Sequence, residues 1–309
     1  MKIGRMRNIF LRVSLALLLA GPAAAPAQAQ QAAQSDAALQ WNQPADRAVC
    51  PDQPGYLWLD RDRLQKPACI RYFSGGALYG APIAIVQFSG DRDDVMKLPP
   101  ERIPQNTAAD RTRDAERLAR RAGVPWVFVA RPGTYGSSGD HRARRQPLEF
   151  QTLDAAVEAL VRTQRIGRIV LVGHSGGATA GAALLTLGRT DVACAVLTSG
   201  AFSLLERARM LGHSNGGTTD TTGSRNVYDP LDHVAGVVPD ARRRIVLIGS
   251  PDDRNTPFAL QQKFVDALRA AGHDAMLKAA PAAPPEFHNL LDEAGPRAAA
   301  ECAQDALRR

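Results

Sequence analysis

The spacing of hydrophobic residues alternates between continuous apolar runs and helical periodicity, and this alternation predicts strands and helices in turn from residue 81 onward. Short, almost wholly apolar runs such as APIAIVQF (81–88) are typical of strands buried on both faces. Intervening stretches such as DRTRDAERLARRAG (110–123) repeat their apolar positions at helical spacing and end on glycine. The predicted strands lie at 55–60, 68–76, 81–88, 124–130, 168–173, 192–200, 242–249 and 274–280. The predicted helices lie at 110–123, 149–167, 177–188, 202–212, 257–272 and about 296–308.

This alternation predicts an α/β fold, with a mostly parallel central sheet that helices cover on both faces. In such sheets, active groups gather in the loops beyond the carboxyl ends of the strands. We expect a single domain over residues 49–309, because α/β folds of this length are commonly one domain.

The first 29 residues have the three-part form of a secretory signal peptide. Four basic residues precede an apolar run at 13–20, which is followed by the cleavage pattern Ala27-Gln28-Ala29. The apolar run is too short for a stable membrane span, and no cysteine follows it to carry a lipid anchor. We therefore expect cleavage after Ala29 and export to a periplasm or the medium. Residues 30–48 are polar and aperiodic, which predicts a flexible leader.

Charge gives little indication of a partner. The whole chain carries a formal charge of +7, and without the four basic residues of the signal peptide 34 basic residues face 31 acidic ones. The small excess of +3 does not favour nucleic-acid binding. The basic cluster HRARR (141–145) is interpreted as a solvated loop in preference to an anion-steering patch.

Four cysteines in an exported chain favour disulfides. Cys50 and Cys69 are predicted to form a bridge, because the segments that flank them are able to pair as a hairpin. Cys194 lies in an apolar strand-like run and is interpreted as a buried thiol. The cysteine spacings do not resemble a zinc site, and we expect neither a metal nor an organic cofactor.

The pattern G-x-S-x-G occurs twice, in LVGHSGGATA (171–180) and in LGHSNGGTTD (211–220). A nucleophilic serine needs a sharp turn between a strand and a helix, with small residues on both sides. Ser175 has that setting, because a predicted strand precedes it and a helix of small residues follows. Ser214 follows a helix-like stretch and precedes a Gly/Thr-rich segment, so we interpret it as a loop serine.

Five motifs follow one another along the chain: VQFSGD (86–91), ARPGTYGSSGDH (130–141), GHSGG (173–177), IGSPDDRNTP (248–257) and PPEFHNLL (284–291). In their order and positions they resemble the α/β-hydrolase family, and the resemblance covers residues 55–300. The pattern D-x-x-T-P and the segment YDPLDHV look most like the catalytic domain of the prolyl oligopeptidase and dienelactone hydrolase-like group. No propeller is expected, because only about 25 residues separate the predicted mature start from the first strand.

Serine is a weak nucleophile near neutral pH and needs a base, which in turn needs an acid to orient it. The family order is Ser, then Asp or Glu, then His, and His288 after the last strand is the candidate base. Counting back from Pro257 in D-x-x-T-P selects Asp253 as the acid, whereas counting forward from Gly249 selects Asp252. We take Asp253, with Asp252 as the alternative, because the proline begins the next helix and fixes the register.

The resemblance also implies an oxyanion hole. Its first donor is expected to be the backbone N–H of Gly176, and its second the N–H of Asp91 or of Gly90. The family often has His-Gly in the second loop, where this chain has Ser89-Gly90.

Together these residues imply an exported serine hydrolase that cleaves ester or related acyl bonds through an acyl-enzyme. The alternatives are a peptidase resembling prolyl oligopeptidase and a non-catalytic binding protein on a hydrolase scaffold. The expected partner is a small-molecule or short-peptide acyl substrate. A short cap is predicted over 201–235, whose apolar side chains either line the cleft or pack a helix on the body: Phe202, Leu204, Leu205 and Met210.

Overall fold

The computed structural model describes Met1 and residues 37–60 and 64–308. Residues 35–309 form one compact unit, and residues 1–34 form a second unit, of which only Met1 is described. The predicted signal peptide and the first part of the predicted leader therefore lie outside the described residues. Among the described helices, none is both long and apolar enough to cross a bilayer.

An eight-stranded sheet forms the centre of the unit, in the order β1-β2-β4-β3-β5-β6-β7-β8. Strand β2 pairs antiparallel with both β1 and β4, and all the other pairs are parallel. The fold class and every predicted strand are confirmed. The strands are β1 Tyr56–Leu59, β2 Ala68–Gly75, β3 Ile83–Phe88, β4 Trp126–Val129, β5 Arg168–His174, β6 Val192–Thr198, β7 Arg244–Gly249 and β8 Ala275–Ala279.

Helices cover both faces of the sheet. One face carries the core that includes α1 and α6, and the other carries the core that includes α2, α3 and α5. The six α-helices of the described residues match the predicted ones, with ends that differ by up to three residues. They are α1 Ala108–Ala122, α2 Pro147–Gln164, α3 Gly176–Thr186, α4 Leu204–Met210, α5 Phe258–Ala270 and α6 Ala294–Arg308.

The helix α3 is buried along its whole length, which explains its composition of small residues. A Cβ atom on Gly173, in strand β5, would lie 2.2 Å from the Gly177 carbonyl oxygen. The strand and the helix therefore meet at their backbones directly around Ser175, an approach that only glycine permits.

The prediction of a flexible leader is wrong for residues 39–43, whose backbone forms hydrogen bonds with the domain. Leu39 and Trp41 are buried, and the Trp41 indole donates a 2.9 Å hydrogen bond to the Asn106 side chain. Burial of these two side chains offsets the conformational entropy that the segment loses when it becomes ordered.

Two disulfides are present among the described residues. The predicted Cys50–Cys69 bridge is confirmed, with Cα atoms 5.9 Å apart at the start of the β1–β2 hairpin. The interpretation of Cys194 as a free buried thiol is wrong, because Cys194 is bonded to Cys302 at a Cα separation of 6.1 Å. Helix α6 carries Cys302 back onto β6 over 108 residues of sequence, a pairing that depends on the topology of the fold.

Candidate active site

Ser175 stands at the turn between β5 and α3, as predicted. Its backbone has φ 52° and ψ −121°, a conformation that L-residues rarely adopt and that costs on the order of 1–3 kcal/mol. The Ser175 N–H donates a 2.9 Å hydrogen bond to the Thr198 carbonyl at the end of β6, which stabilises the turn. The strained turn raises the side chain above the carboxyl edge of the sheet.

Ser214 has none of these features. Its hydroxyl donates a 2.9 Å hydrogen bond to the Thr219 carbonyl within the same loop, and the next helical turn begins only at Pro230. The second G-x-S-x-G therefore lies in a loop that its own polar side chains stabilise.

Asp253 and His288 are brought together by the loops after β7 and β8. The His288 Nδ1 lies 2.8 Å from Asp253 Oδ2 and 3.1 Å from Oδ1. The Asp253 side chain is fully buried, whereas Asp252 is exposed and its carboxylate has no partner among the described residues. Among the residues that the structure describes, no hydrogen bond joins the Ser175 hydroxyl to His288. Such bonds are often long until substrate binds.

Several donors hold the Asp253 carboxylate in its charged form. Burial alone would raise the pKa of Asp253, but the hydrogen bonds from His288 and from the N–H groups of Thr256 and Asn255 lower it below its ordinary value. The Thr256 hydroxyl also lies 2.9 Å from Asp253 Oδ2. An ionised carboxylate fixed on Nδ1 orients the imidazole and leaves Nε2 free to act as a base.

The end of β6 connects the three loops that carry these residues. The Thr198 carbonyl accepts from Ser175 N–H, and the Ser199 hydroxyl donates a 2.6 Å hydrogen bond to the His288 carbonyl. The Ser199 carbonyl lies 3.0 Å from the Thr256 hydroxyl. Thr198, Ser199 and Thr256 were not among the site residues predicted from the sequence, although Thr256 belongs to the motif D-x-x-T-P.

His174 packs between the serine loop and the histidine loop. Its ring centre lies 4.8 Å from that of His288, and its Nδ1 lies 3.0 Å from the Thr198 hydroxyl. Burial, followed by the charge of His288, lowers the pKa of His174 to about 3, so its ring is neutral at neutral pH. Because the His174 ring is neutral, it does not repel a protonated His288 imidazole.

The predicted oxyanion loop lies directly against the serine turn. A Cβ atom on Gly90 would lie 3.3 Å from the Ser175 Cβ atom. A Cβ atom on Gly176 would lie 2.1 Å from Asp91 Oδ1 and 2.7 Å from Arg131 Nη1. Gly176 begins α3, so its N–H has no partner within the helix and is available to an anion.

The Asp91 side chain is the centre of a buried ionic cluster. It forms ion pairs with Arg131 at 2.7 Å, with Arg144 at 3.3 Å and with Arg145. Burial would raise the pKa of Asp91, but these three charges hold it well below its ordinary value. Arg131 is also paired with buried Glu149 at 2.7 Å.

The interpretation of residues 141–145 as a solvated loop is wrong. His141, Arg144 and Arg145 are buried, and only the middle of the cluster faces solvent. Asp91 lies about 50 residues earlier in the sequence, so a linear search for compensating charges near the cluster could not identify it.

Arginines join part of the predicted cap to the predicted oxyanion loop and to the loop that carries Asp253. Arg145 contacts buried Asp220 and donates a 2.6 Å hydrogen bond to the Thr221 hydroxyl. Arg207 donates to the same hydroxyl at 2.9 Å and to the Asn255 carbonyl at 2.7 Å. The network therefore runs from the oxyanion loop through the cap to the loop that carries Asp253.

The apolar side chains of the cap mostly pack on the body. Phe202 is fully buried and stacks on Phe264 of α5 at 4.6 Å, and Leu204 is buried as well. Met210 is 56% exposed. Of the two alternatives, packing on the body accounts for Phe202 and Leu204.

No protein-family model matches the sequence, and no curated protein matches it. Solved structures with a similar fold include Est1E from Butyrivibrio proteoclasticus, at a TM-score of 0.57 and 12% identity over 82% of this chain and 100% of that chain. The esterase Pf2001 of Pyrococcus furiosus matches at a TM-score of 0.54 and 13% identity, over 86% of this chain and 98% of that chain.

A third similar structure is the acylaminoacyl peptidase of Pyrococcus horikoshii, at a TM-score of 0.53 and 16% identity over 83% of this chain. The chain spans only 41% of that peptidase. The sheet order, the helices on both faces and these similarities together establish that the chain has the α/β-hydrolase fold.

Proposed function

We propose that the protein is a serine hydrolase that cleaves ester or related acyl bonds, with Ser175, His288 and Asp253 as its triad. The observation that carries the proposal is the buried Asp253 carboxylate 2.8 Å from His288 Nδ1, in the loops beside the strained turn of Ser175. An oriented imidazole near a serine, at the edge of the sheet where α/β folds carry their active groups, supports this assignment.

In the proposed mechanism, Ser175 Oγ attacks the acyl carbonyl while His288 Nε2 removes its proton. The N–H of Gly176 and a second N–H from Gly90 or Asp91 stabilise the oxyanion, each by roughly 3 kcal/mol. His288 then protonates the leaving oxygen or nitrogen as its bond to the acyl carbon breaks, so that the alcohol or amine departs and the acyl group remains on Ser175 Oγ. Water, activated by the same imidazole, attacks the ester carbon, releases the acid and regenerates Ser175.

The arginine network supports the mechanism by holding the oxyanion loop in place. Arg131 Nη1 donates both to Asp91 Oδ1 at 2.7 Å and to the Ser89 carbonyl at 3.3 Å. Backbone donors act best when they are fixed before the charge develops. We infer that Asp91 contributes to the site through its buried side chain as well as through its N–H.

The proposal includes export. The N-terminal 29 residues have the form of a signal peptide, and the two disulfides are compatible with an oxidising compartment. N-terminal sequencing of the protein recovered from its host is expected to begin at Gln30. Recovery of Met1 on the folded protein would contradict export by cleavage.

Hydrolysis assays test the activity. We expect the purified mature protein to hydrolyse 4-nitrophenyl acetate or butyrate and to lose the activity in Ser175→Ala but not in Ser214→Ala. Peptide 4-nitroanilides with a free and with an acylated N-terminus distinguish an esterase from a peptidase. Turnover of anilides at rates comparable with esters would favour the peptidase, and no turnover of either class would favour a binding protein.

A further inference from the structure

A cavity of about 520 Å³ adjoins the proposed catalytic residues on the side of α1 and α6. Its wall includes Gly90 and His174, the residue before the serine. A Cβ atom on Gly90 would lie 3.3 Å from the Ser175 Cβ atom. Asn289, which follows His288, also lines the cavity. A group of a substrate bound at Ser175 is therefore within reach of this cavity.

The charged side chain of Arg111 lines the cavity. The residue is only 8% exposed, and its guanidinium lies 5.3 Å from the centre of the Tyr135 ring and 5.7 Å from that of Phe128. Its Nη2 contacts Gln105 at 3.0 Å and Asp114 at 3.2 Å. Within the part of the chain that the structure describes, Nη1 has no hydrogen-bond or ion-pair partner.

Arg92 is a second cation on the same cavity, next to the oxyanion loop. Its Nη1 donates a 2.7 Å hydrogen bond to the Tyr135 hydroxyl, which holds the guanidinium at the wall. Its nearest carboxylate among the described residues is that of Asp94, at 3.8 Å and with a side chain that is 75% exposed. Solvent screens such a pair, so the charge of Arg92 is only weakly compensated.

Two of the three carboxylates on the cavity wall are paired with arginines. Asp91 is neutralised by the buried arginine cluster, and Asp114 lies between Arg111 and Arg117 at 3.2 and 3.3 Å. Asp292 is exposed and accepts a hydrogen bond from Asn289 at 2.7 Å. Arg111 and Arg92 consequently keep N–H donors without partners among the described residues, whereas arginines already occupy the carboxylates of Asp91 and Asp114.

We propose that this cavity binds a carboxylate group of the substrate, with Arg111 and Arg92 as the residues that recognise it. The inference rests on the proposed hydrolase function and specifies its substrate class. The substrate is an ester that carries a free carboxylate within a few bonds of the scissile group. Two guanidinium groups suit this ligand because they donate several N–H bonds in a plane. A purely alkyl group would bury these donors without partners.

Matched ester pairs test the proposal in the wild-type protein. For the acyl side, mono-4-nitrophenyl glutarate is compared with 4-nitrophenyl pentanoate. For the leaving group, 4-acetoxybenzoate is compared with 4-acetoxybenzamide. We expect kcat/KM to favour the carboxylate of at least one pair by about 10-fold or more, because a charge-assisted hydrogen bond contributes a factor of this order. Equal kcat/KM values within both pairs would overturn the proposal.

Variants assign the preference to the cavity. Arg111→Gln and Arg92→Gln are each expected to lower the carboxylate preference, taken as the ratio of kcat/KM for the carboxylate ester to that for its neutral partner, by about 10-fold. Arg120→Gln is the matched control, because Arg120 is on α1 but its side chain is 71% exposed and outside the cavity. A preference that survives both cavity variants contradicts the assignment. If Arg111→Gln does not fold, the partly exposed Arg92 decides the outcome alone.

A binding measurement separates failure of this inference from failure of the proposed function. Calorimetric titration of the wild-type protein with benzoate and with benzamide needs no turnover. Tighter binding of benzoate that Arg111→Gln or Arg92→Gln weakens supports the carboxylate site, even if no ester is hydrolysed. Equal binding of the two compounds overturns it, even if neutral esters are hydrolysed at Ser175.

Discussion

The Asp91 carboxylate lies against the Cα atom of Gly176, so closely that a methyl group on that carbon would stand 2.1 Å from Asp91 Oδ1. The buried Asp91 side chain therefore requires glycine as the first residue of α3. The glycine leaves room for the carboxylate, and the carboxylate with its arginines fixes the oxyanion loop beside Ser175.

Gly176→Ala is expected to lower kcat/KM by at least about 100-fold, because the new methyl group must displace the Asp91 carboxylate and with it the loop that supplies the second oxyanion donor. Gly181→Ala is the control on the same helix. Its methyl group would meet only the end of the Leu197 side chain at 2.7 Å, and we expect kcat/KM within about 3-fold of wild type. Equal losses in the two variants would contradict this account of the turn.

Asp91→Asn is expected to lower the free energy of unfolding by roughly 3–5 kcal/mol, because it leaves three buried arginines without the charge that compensates them. Chemical denaturation of the hydrolytically active protein measures this change. Asp93→Asn is the control, since Asp93 contacts Arg144 at 2.6 Å but its side chain is 58% exposed, and the expected change is below about 1 kcal/mol. A loss for Asp91→Asn no larger than that for Asp93→Asn would show that the cluster is not a major source of stability.

Substitution of each of two neighbouring aspartates tests which of them is the acid of the triad. Asp253→Asn is expected to reduce kcat by about 10⁴-fold with little change in KM, because the amide no longer holds the required tautomer of His288. Asp252→Asn is expected to stay within about 3-fold of wild type, since Asp252 is exposed. The reverse pattern would assign the acid to Asp252.

Buried His141 predicts a pH dependence of stability. Burial, followed by the charge of Arg131, lowers the pKa of His141 from 6.5 to about 3. Between these values the unfolded chain binds a proton that the folded chain does not, so stability falls as the pH decreases through 6.5. Relative to His141→Phe, the wild-type protein should lose roughly 2 kcal/mol between pH 8 and pH 5. Parallel stability curves over this range would contradict the prediction.

The sequence predicted the sheet well because most strands are short apolar runs and helices such as α1 repeat their apolar positions at helical spacing. It also placed Ser175 at its turn and brought Asp253 and His288 to loops that the structure joins. These features depend on local pattern and chain order, both of which can be read from the sequence.

The features that the sequence did not predict depend on contacts between distant segments. Cys194 meets Cys302 only because α6 packs on β6, and Arg144 and Arg145 are buried only because Asp91 compensates them. Trp41 lies in a stretch with no period, yet the Asn106 side chain accepts its indole N–H in the core. In each case the partner lies at least 50 residues away in sequence, beyond the range of periodicity or composition.

Labelling with a fluorophosphonate probe tests the central claim most directly, because the probe reacts with activated serines without any assumption about the substrate. We would treat the purified mature protein, map the modified peptide by mass spectrometry, and run Ser175→Ala and Ser214→Ala alongside. The account predicts a label on Ser175 that is lost only in Ser175→Ala. A folded protein that carries no label on Ser175 would contradict the proposed nucleophile and favour a binding protein on a hydrolase scaffold.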